Sequence, residues 1–237
     1  MSITGQHNRR LKEIRKLRMR RRWRERSGRF VAEGEDLLAA ADRAGWRAVE
    51  RYCAAGSGLG GVEVEPGLLA SASGIASGTR ALGVFDERWA AEPIGPLCVY
   101  LHGVHDPGNV GAVLRAAQAF GAASVALGPG SADPFGPKAV RASMGAVFAV
   151  PLTKTSTLAE LPGTKIALVP GQGSPLRELD GAPPATLLVG SEREGLPEPI
   201  VEQADQTAHI PIESNSLNAA MAATIALYEL ALRMQNR

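Results

Sequence analysis

The sequence predicts an α/β protein in which a mostly parallel sheet follows a smaller N-terminal α/β unit. From Leu97 onward, apolar runs of β type alternate with helical stretches or long loops, the pattern of a parallel sheet covered by helices. Before about residue 90, shorter runs of both types predict a compact unit of its own. The 237 residues, 45% apolar and 21% charged, exclude wholesale disorder and allow one large domain or two small ones.

The ends of the chain and its cysteines limit the class of protein further. No apolar stretch reaches the roughly 20 residues of a membrane-spanning helix, and the first residues contain no apolar signal segment. Only Cys53 and Cys98 are present, without CxxC spacing. We therefore expect a cytoplasmic protein with no membrane partner and no disulfide framework, and we interpret both cysteines as inert core thiols.

Residues 1–30 carry twelve Arg or Lys residues against two acids, which is +10, whereas the whole chain is only +2 and the remainder is therefore −8. Such an arm is typical of proteins that bind polyanions, and guanidinium groups can hold phosphate and stack on bases. The predicted RNA-binding residues of this arm are Arg9, Arg10, Arg18, Arg20, Arg21 and Arg22. An alternative stays open: Leu11, Ile14 and Leu17 have the spacing of an amphipathic helix, of which the arginines would be the solvated face.

The first segment, residues 1–90, continues with a helix predicted over Phe30–Gly45. Further elements of this segment are a strand at Ala48–Cys53, a strand at Val62–Val64, a helix near Leu68–Ser73 and a strand near Ala81–Phe85. Residues 91–96, which contain two prolines and a glycine, are the predicted linker to a second domain at 97–237.

In the second segment, six apolar runs predict strands: Leu97–Leu101, Ser124–Leu127, Val147–Pro151, Ile166–Val169, Thr186–Val189 and His209–Ile212. The C-terminal helix is apolar nearly all round, so we expect it to be buried by its own core and by a second subunit. Neither GxxxxGK[ST] nor a GxGxxG after a strand is present, which argues against a phosphate-loop enzyme or an NAD enzyme.

Three loops at predicted strand ends carry polar residues. Residues 101–122 form a turn with Asn109 at a predicted helix N-cap, and the helix carries Arg115 and ends at Gly121. Residues 187–197 read LLVGSEREGLP and follow a buried strand, at the edge where open α/β sheets bind ligands. Residues 209–222 read HIPIESNSLNAAMA, with backbone N–H groups available at a helix start. Each loop alone is unremarkable.

Together the three loops resemble the motifs of the SpoU/TrmH family of RNA 2′-O-ribose methyltransferases, within the SPOUT class. The motifs DPxNxGAxxRxAxAFG, GSExxGL and IPM…SLNxxxAxxIxLYE match, in order, segments 106–121, 190–196 and 210–229. The basic arm and the FVAEG segment resemble the family's N-terminal RNA-binding domain, which is similar to a small ribosomal protein.

The resemblance implies a deep trefoil knot, a homodimer and S-adenosylmethionine as methyl donor, with no metal. It implies that the methyl donor is bound by Gly190, Ile210, Leu217, Ala219 and Leu168. It implies a catalytic and ribose-binding set of Asn109, Arg115, Glu192, Ser216 and Asn218. It also implies that Arg141 contacts phosphate or substrate.

The resemblance leaves the proton acceptor open among Arg115, Glu192 and a water, since a guanidinium stays protonated in proteins. It favours 23S ribosomal RNA as substrate. Transfer RNA and a non-catalytic RNA-binding or ribosome-binding protein are the alternatives. His102 and His105 form an HxxH, but no further ligand lies near in sequence, so we interpret them as surface or hydrogen-bonded histidines.

Overall fold

The computed structural model describes residues 2–74, 78–179, 184–213 and 217–235. The strands are β1 (Arg29–Glu33), β2 (Glu50–Ala54), β3 (Val62–Val64), β4 (Ala81–Asp86), β5 (Leu97–Leu101), β6 (Ser124–Leu127), β7 (Leu152–Lys154), β8 (Thr164–Leu168), β9 (Ser174–Pro175), β10 (Ala185–Val189) and β11 (Gln206–His209). The helices are α1 (Arg9–Met19), α2 (Arg21–Ser27), α3 (Glu35–Arg43), α4 (Pro66–Ser73), α5 (Pro107–Ala119), α6 (Pro137–Ala142), α7 (Ala146–Ala149), α8 (Glu198–Glu202) and α9 (Ala219–Gln235).

The strands form two sheets. The N-terminal sheet has the order β1-β4-β2-β3, with β4 antiparallel to both of its neighbours. The second sheet has the order β7-β6-β5-β10-β8-β11-β9, and every described pair in it is parallel. The predicted α/β fold with a mostly parallel sheet is therefore confirmed. Its carboxyl edge collects the loops that follow β5, β6, β8, β10 and β11.

The helix predicted over Phe30–Gly45 is wrong in its first part. Residues 29–33 form β1, and α3 begins only at Glu35. Four consecutive residues of this strand, from Phe30 to Glu33, are buried, so both faces of β1 are covered. Gly34, with φ of +103°, separates the strand from the helix. Continuous burial selects a strand here although the sequence resembles the start of a helix.

Two further predictions in the second sheet are wrong in position. The apolar run Val147–Pro151 is mostly helical, because α7 occupies 146–149 and β7 begins only at Leu152. The strand predicted at His209–Ile212 lies earlier, at Gln206–His209. The short edge strand β9 was not predicted, since two residues give no periodicity.

One apolar cluster joins the two sheets. The ring of Phe30 in β1 lies 4.7 Å from that of Phe135 and 5.8 Å from that of Phe148, both from the second segment. Trp46 completes the cluster: its indole N–H donates to the carbonyl oxygen of Phe148 at 2.8 Å. Because these rings belong to a single core, the N-terminal sheet is packed on the larger one rather than tethered by residues 91–96 alone. The proposed domain limits stay a prediction.

Ion pairs of two largely buried carboxylates, Asp133 and Glu33, reinforce this contact, which we call the junction. The guanidinium of Arg24 pairs with Asp133 at 2.7 Å, with side chains only 6% and 13% exposed. Glu33 in β1 lies between Arg18 and Arg141, 3.1 Å from the latter. Burial raises the pKa of Glu33, against the opposing effect of the two arginines.

The remaining predictions about burial can be compared directly. Leu11, Ile14 and Leu17 are fully buried on one face of α1, so the amphipathic helix is confirmed. Cys53 and Cys98 are free and buried, also as predicted, and burial raises the pKa of the Cys98 thiol. No helix in the part of the chain that the structure describes is long and apolar enough to cross a membrane.

Candidate active site

The carboxyl edge of the large sheet brings the three loops predicted from the sequence together. The strands β5, β10, β8 and β11 are consecutive in the sheet, so the loops that follow them meet at one edge. A cavity of about 430 Å³ opens there between the loops after β8, β10 and β11. Its lining includes all five residues predicted to bind the methyl donor: Leu168, Gly190, Ile210, Leu217 and Ala219.

Gly190 is a glycine because the chain approaches itself closely at this position. A Cβ atom on Gly190 would lie 2.1 Å from the carbonyl carbon of Gly195, a distance that no side chain tolerates. The close approach is part of a tight turn in which the N–H of Ser191 donates to the carbonyl oxygen of Gly195 at 3.0 Å, and the N–H of Gly195 donates back at 3.1 Å. The residues of this turn, 190–195, line one side of the cavity.

Asn109, Glu192 and Asn218 form a chain of hydrogen bonds at the rim of this cavity. The Asn109 amide nitrogen donates to Glu192 Oε1 at 2.5 Å, and the Asn218 amide nitrogen donates to Asn109 Oδ1 at 3.0 Å. Asn218 Oδ1 in turn accepts from the N–H groups of Ala220 and Met221 at the start of α9. One side chain from each of the three loops is thus held in a fixed relation to the others.

The start of α5 differs from the prediction, because Asp106 and not Asn109 is its N-cap. Asp106 Oδ1 accepts from the N–H of Gly108 at 2.7 Å and from Lys138 Nζ at 2.7 Å. The Lys138 contact, together with the Gly108 N–H, holds the pKa of Asp106 below its usual range. Asn109 lies in the first turn of the helix, which directs its side chain to Glu192.

Two members of the predicted catalytic set do not take part in this series of hydrogen bonds. Arg115 is exposed on α5 and does not line the cavity. Ser216 lies outside the described residues.

The predicted RNA-binding residues divide into two groups. The exposed ones are Arg9, Arg10, Arg20, Arg21 and Arg22. Arg18 differs, because its side chain is 15% exposed, pairs with Glu33 and donates to the carbonyl oxygen of Ala72 at 3.0 Å. Arg141 shares the Glu33 carboxylate and is 44% exposed, so one edge of its guanidinium remains open to solvent.

The sequence did not identify the loop after β8 as part of the site. Val169, Pro170 and Gln172 line the cavity beside the predicted residues. Their signal was present: the PGQG sequence at 170–173 follows an apolar run, as turns at the carboxyl edge of parallel strands do.

His102 and His105, at the start of the first loop, belong to no cluster of metal-binding side chains among the described residues. His102 Nδ1 lies 3.1 Å from the hydroxyl oxygen of Tyr100, and burial lowers the pKa of His102. A neutral imidazole hydrogen-bonded to a buried tyrosine is the role predicted for a hydrogen-bonded histidine.

A parallel α/β sheet with these three loops on its carboxyl edge is the architecture of the SpoU class. The chain belongs to the SpoU rRNA methylase family, whose model matches residues 96–228. A second model, the MRM3-like substrate binding domain, matches residues 8–80.

Named relatives agree with this assignment. The chain is 36% identical over 135 residues to the 23S rRNA (guanosine(2553)-2′-O)-methyltransferase RlmP of Bacillus subtilis, a match that spans 54% of each chain. It is similar over 99% of its length to an AdoMet-bound rRNA methyltransferase from Sinorhizobium meliloti, with a TM-score of 0.87, 31% identity and 98% of that chain covered. The AdoMet complex of the SpoU methyltransferase AviRb from Streptomyces viridochromogenes gives a TM-score of 0.84 and 25% identity, covering 96% of this chain and 98% of that one.

Proposed function

We propose that the protein transfers a methyl group from S-adenosylmethionine to a ribose 2′-hydroxyl of structured RNA, with 23S ribosomal RNA as the substrate. The observation that carries this proposal is the hydrogen-bonded series Asn218–Asn109–Glu192, at the rim of a cavity whose lining includes Gly190 and several apolar side chains. RlmP and the Sinorhizobium protein, both named as rRNA methyltransferases, support the choice of substrate. A ribosomal RNA substrate implies a cytoplasmic location.

The residues of the cavity fit S-adenosylmethionine. A volume of about 430 Å³ lies within the range of cofactor sites, roughly 300–1,000 Å³. Gly190 and Gly195 both line the cavity, so a ligand can pack against main-chain atoms there. The apolar side chains Leu168, Ile210 and Leu217 suit the flat faces of an adenine. Glu192 adds a polar, charged group to the rim of the same cavity.

S-adenosylmethionine supplies an electrophilic methyl group on a sulfonium, so the leaving group needs no assistance from the protein. The protein has two tasks, to align the hydroxyl and to accept its proton. Alignment of reacting groups can contribute about 7–11 kcal/mol, and a proton acceptor contributes about 10²–10⁴-fold in rate.

Glu192 is the side chain best suited to receive the hydroxyl proton. Its carboxylate lines the cavity, and Asn109 orients Oε1, which leaves the second oxygen to accept from the ribose. Arg115, a permanent cation on the outer face of α5, is assigned to orientation of ribose or phosphate rather than to proton transfer.

The arm and the C-terminal helix complete the proposal. The exposed arginines Arg9, Arg10, Arg20, Arg21 and Arg22 contact RNA phosphates, and the open edge of Arg141 does the same. We also propose the trefoil knot and a homodimer through α9, whose exposed apolar residues Met221, Ile225 and Tyr228 repeat at helical spacing.

The proposal is tested by calorimetric titration of S-adenosylmethionine, followed by incubation of the protein with labelled donor and separate pools of ribosomal and transfer RNA. Micromolar binding and a label that maps to a ribose of 23S RNA are the expected results. Binding without any labelled RNA, or no binding at all, would favour a non-catalytic RNA-binding protein. A label found only in the transfer RNA pool would mean that transfer RNA, and not 23S ribosomal RNA, is the substrate.

Replacement of Arg115 separates its proposed role from a structural one. We expect Arg115→Ala to abolish methyl transfer and to leave the calorimetric affinity for S-adenosylmethionine unchanged, since Arg115 does not line the cavity. Retained activity would contradict a role for Arg115 in the reaction.

A further inference from the structure

A second cavity, of about 370 Å³, opens at the carboxyl ends of β6 and β7, on the side of the sheet edge away from the candidate active site. It lies between helix α2, the segment after β4 and the loop after β6. Its functional lining residues are Arg21, Glu87, Trp89, Asp133 and Lys154.

Trp89 is the aromatic surface of this cavity. Its ring is held edge-on by Phe135, with centroids 5.1 Å apart and an angle of 89°. The ammonium of the exposed Lys154 lies 4.1 Å from the centre of the ring. An exposed lysine that covers an aromatic face leaves that face available for stacking when its side chain turns toward a phosphate, and it then supplies a positive charge beside the ring.

Glu87 is the hydrogen-bonding group of the cavity. It accepts from the Trp89 indole N–H at 3.0 Å, and among the described residues it forms no ion pair. Burial raises the pKa of Glu87, and the neighbouring Asp133 adds to that effect. A half-buried carboxyl group at the edge of a stacking surface is suited to accept from the N–H groups of a base.

A third cavity, of about 330 Å³, extends from this region toward the start of α5. It shares Arg21 and the run 130–133 with the Trp89 cavity, and it reaches His105 and Pro107 at the start of α5 and Lys138 in α6. In the sheet, β5 separates the two sites, so Asn109 lies between the methyl-donor cavity on one side and the Trp89 cavity on the other.

We propose that the Trp89 cavity binds the base of an unpaired nucleotide in the RNA strand that also presents the target ribose at Asn109. Trp89 stacks on the base, Glu87 accepts from its edge, and Arg21 and Lys154 hold the adjoining phosphates. This inference rests on the proposed function for the identity of the strand. The ribose 2′-hydroxyl is the same in every nucleotide, so the reaction itself does not distinguish sequences. A site that binds a base would add that selectivity.

The experiment uses the full chain and protein-free 23S rRNA as the probe. Irradiation at 254 nm followed by mass spectrometry of the RNA-linked peptides should locate an adduct on Trp89. The same RNA, titrated against variants, should bind about 5-fold to 150-fold more weakly to Trp89→Ala, the range expected for loss of one stacked base. Because Trp89 also packs on Phe135, the isosteric Glu87→Gln and the exposed Lys154→Ala are measured in parallel, and at least a threefold loss is expected for each.

Arg88→Ala is the matched control for Lys154→Ala. Arg88 is also exposed and also stacks on a tryptophan, with its guanidinium carbon 4.3 Å from the centre of the Trp46 ring, but it does not line the cavity. We expect Arg88→Ala to retain wild-type affinity.

Equal losses of RNA affinity for Lys154→Ala and Arg88→Ala would show that only overall positive charge matters, and would overturn the inference. Unchanged affinity in all variants, or crosslinks found only in the arm, would overturn it too. Failure of the proposed function has a different signature. In that case the Trp89 adduct and the affinity losses are present, but no methyl group is transferred to the RNA.

Discussion

The junction between the two sheets and the rim of the active site are built in opposite ways. At the junction, rings from Phe30, Phe135 and Phe148 are excluded from water, and the Arg24–Asp133 pair is almost completely buried. At the rim, Asn109 is half-buried, whereas Glu192 and Asn218 are exposed. Both regions connect residues about a hundred positions apart in the chain, yet only the first removes a large apolar area from water.

Because of this difference, we expect the two regions to affect different properties, the junction the free energy of unfolding and the rim the reaction rate. Burial of apolar area contributes strongly to the free energy of folding, whereas exposed hydrogen bonds exchange with water at little net gain. Substitutions at the junction should therefore change the free energy of unfolding and leave the reaction of the folded fraction intact. Substitutions at the rim should do the reverse.

Asn109→Ala is the change with the largest expected effect. It removes both hydrogen bonds that order Glu192 and Asn218, so the rate of methyl transfer should fall by about 10²–10⁴-fold. The midpoint of thermal unfolding and the affinity for S-adenosylmethionine should stay near the wild-type values. Gln118→Ala, an exposed change on the same helix, is the control and should leave the rate unaltered. A large drop in melting temperature for Asn109→Ala would erase the distinction between rim and junction.

Phe30→Ala should give the largest loss of stability. The ring is fully buried among four other aromatic side chains, so the free energy of unfolding should fall by about 4 kcal/mol. Denaturant titration measures the change, and the folded fraction should keep its methyl-transfer rate. Phe30→Leu, which preserves most of the volume, should lose less. A loss under 1 kcal/mol for Phe30→Ala would mean that the two sheets do not share one core.

Arg24→Ala tests the polar part of the junction. It leaves Asp133 buried without its partner, which should cost about 3 kcal/mol in denaturant titration. The double variant Arg24→Met with Asp133→Leu should recover part of this loss, because the unpaired charge is gone. Arg24→Met and Asp133→Leu are also measured singly, and losses that add up to that of the double variant would show that the pair is not coupled.

Asp106→Ala should have the smallest effect, about 1 kcal/mol at neutral pH, through loss of the N-cap of α5. The pKa of Asp106 is lowered in the folded protein, so the stability from its ionised form is present above the ordinary pKa of 3.8 and is lost as the pH falls below it. Denaturant titrations at pH 7 and pH 3 should therefore show a smaller difference between wild type and variant at the lower pH. Asp106→Asn keeps the acceptor for Gly108 and should lie between the two. An Asp106→Ala deficit that grows on acidification would contradict this assignment.

Local patterns were sufficient for elements whose burial follows from their own residues. Leu97–Leu101 and Ser124–Leu127 are short apolar runs next to proline or glycine, and the strands have these bounds. Phe30–Glu33 could not be assigned in this way, because its second buried face depends on Phe135 and Phe148, over a hundred residues away.

The candidate site shows the same division. The motifs identified Asn109, Glu192 and Asn218, but their mutual hydrogen bonds depend on the strand order β5-β10-β8-β11, which no local pattern encodes. Charge counting treated the arm as uniform. The structure distinguishes Arg18 and Arg24, which pair with largely buried carboxylates, from the arginines of the arm whose side chains are exposed.

The aromatic cluster has a consequence for how such proteins can diversify. A chain shortened to residues 97–237 would leave Phe135 and Phe148 uncovered, and the resulting exposed hydrophobic patch would favour self-association. Exchange of the leading segment for one from a relative would succeed only if the donor supplied matching rings at Phe30 and Trp46. Changes on the exposed face of α1 and α2 leave this aromatic core intact, whereas exchange of the whole leading segment does not.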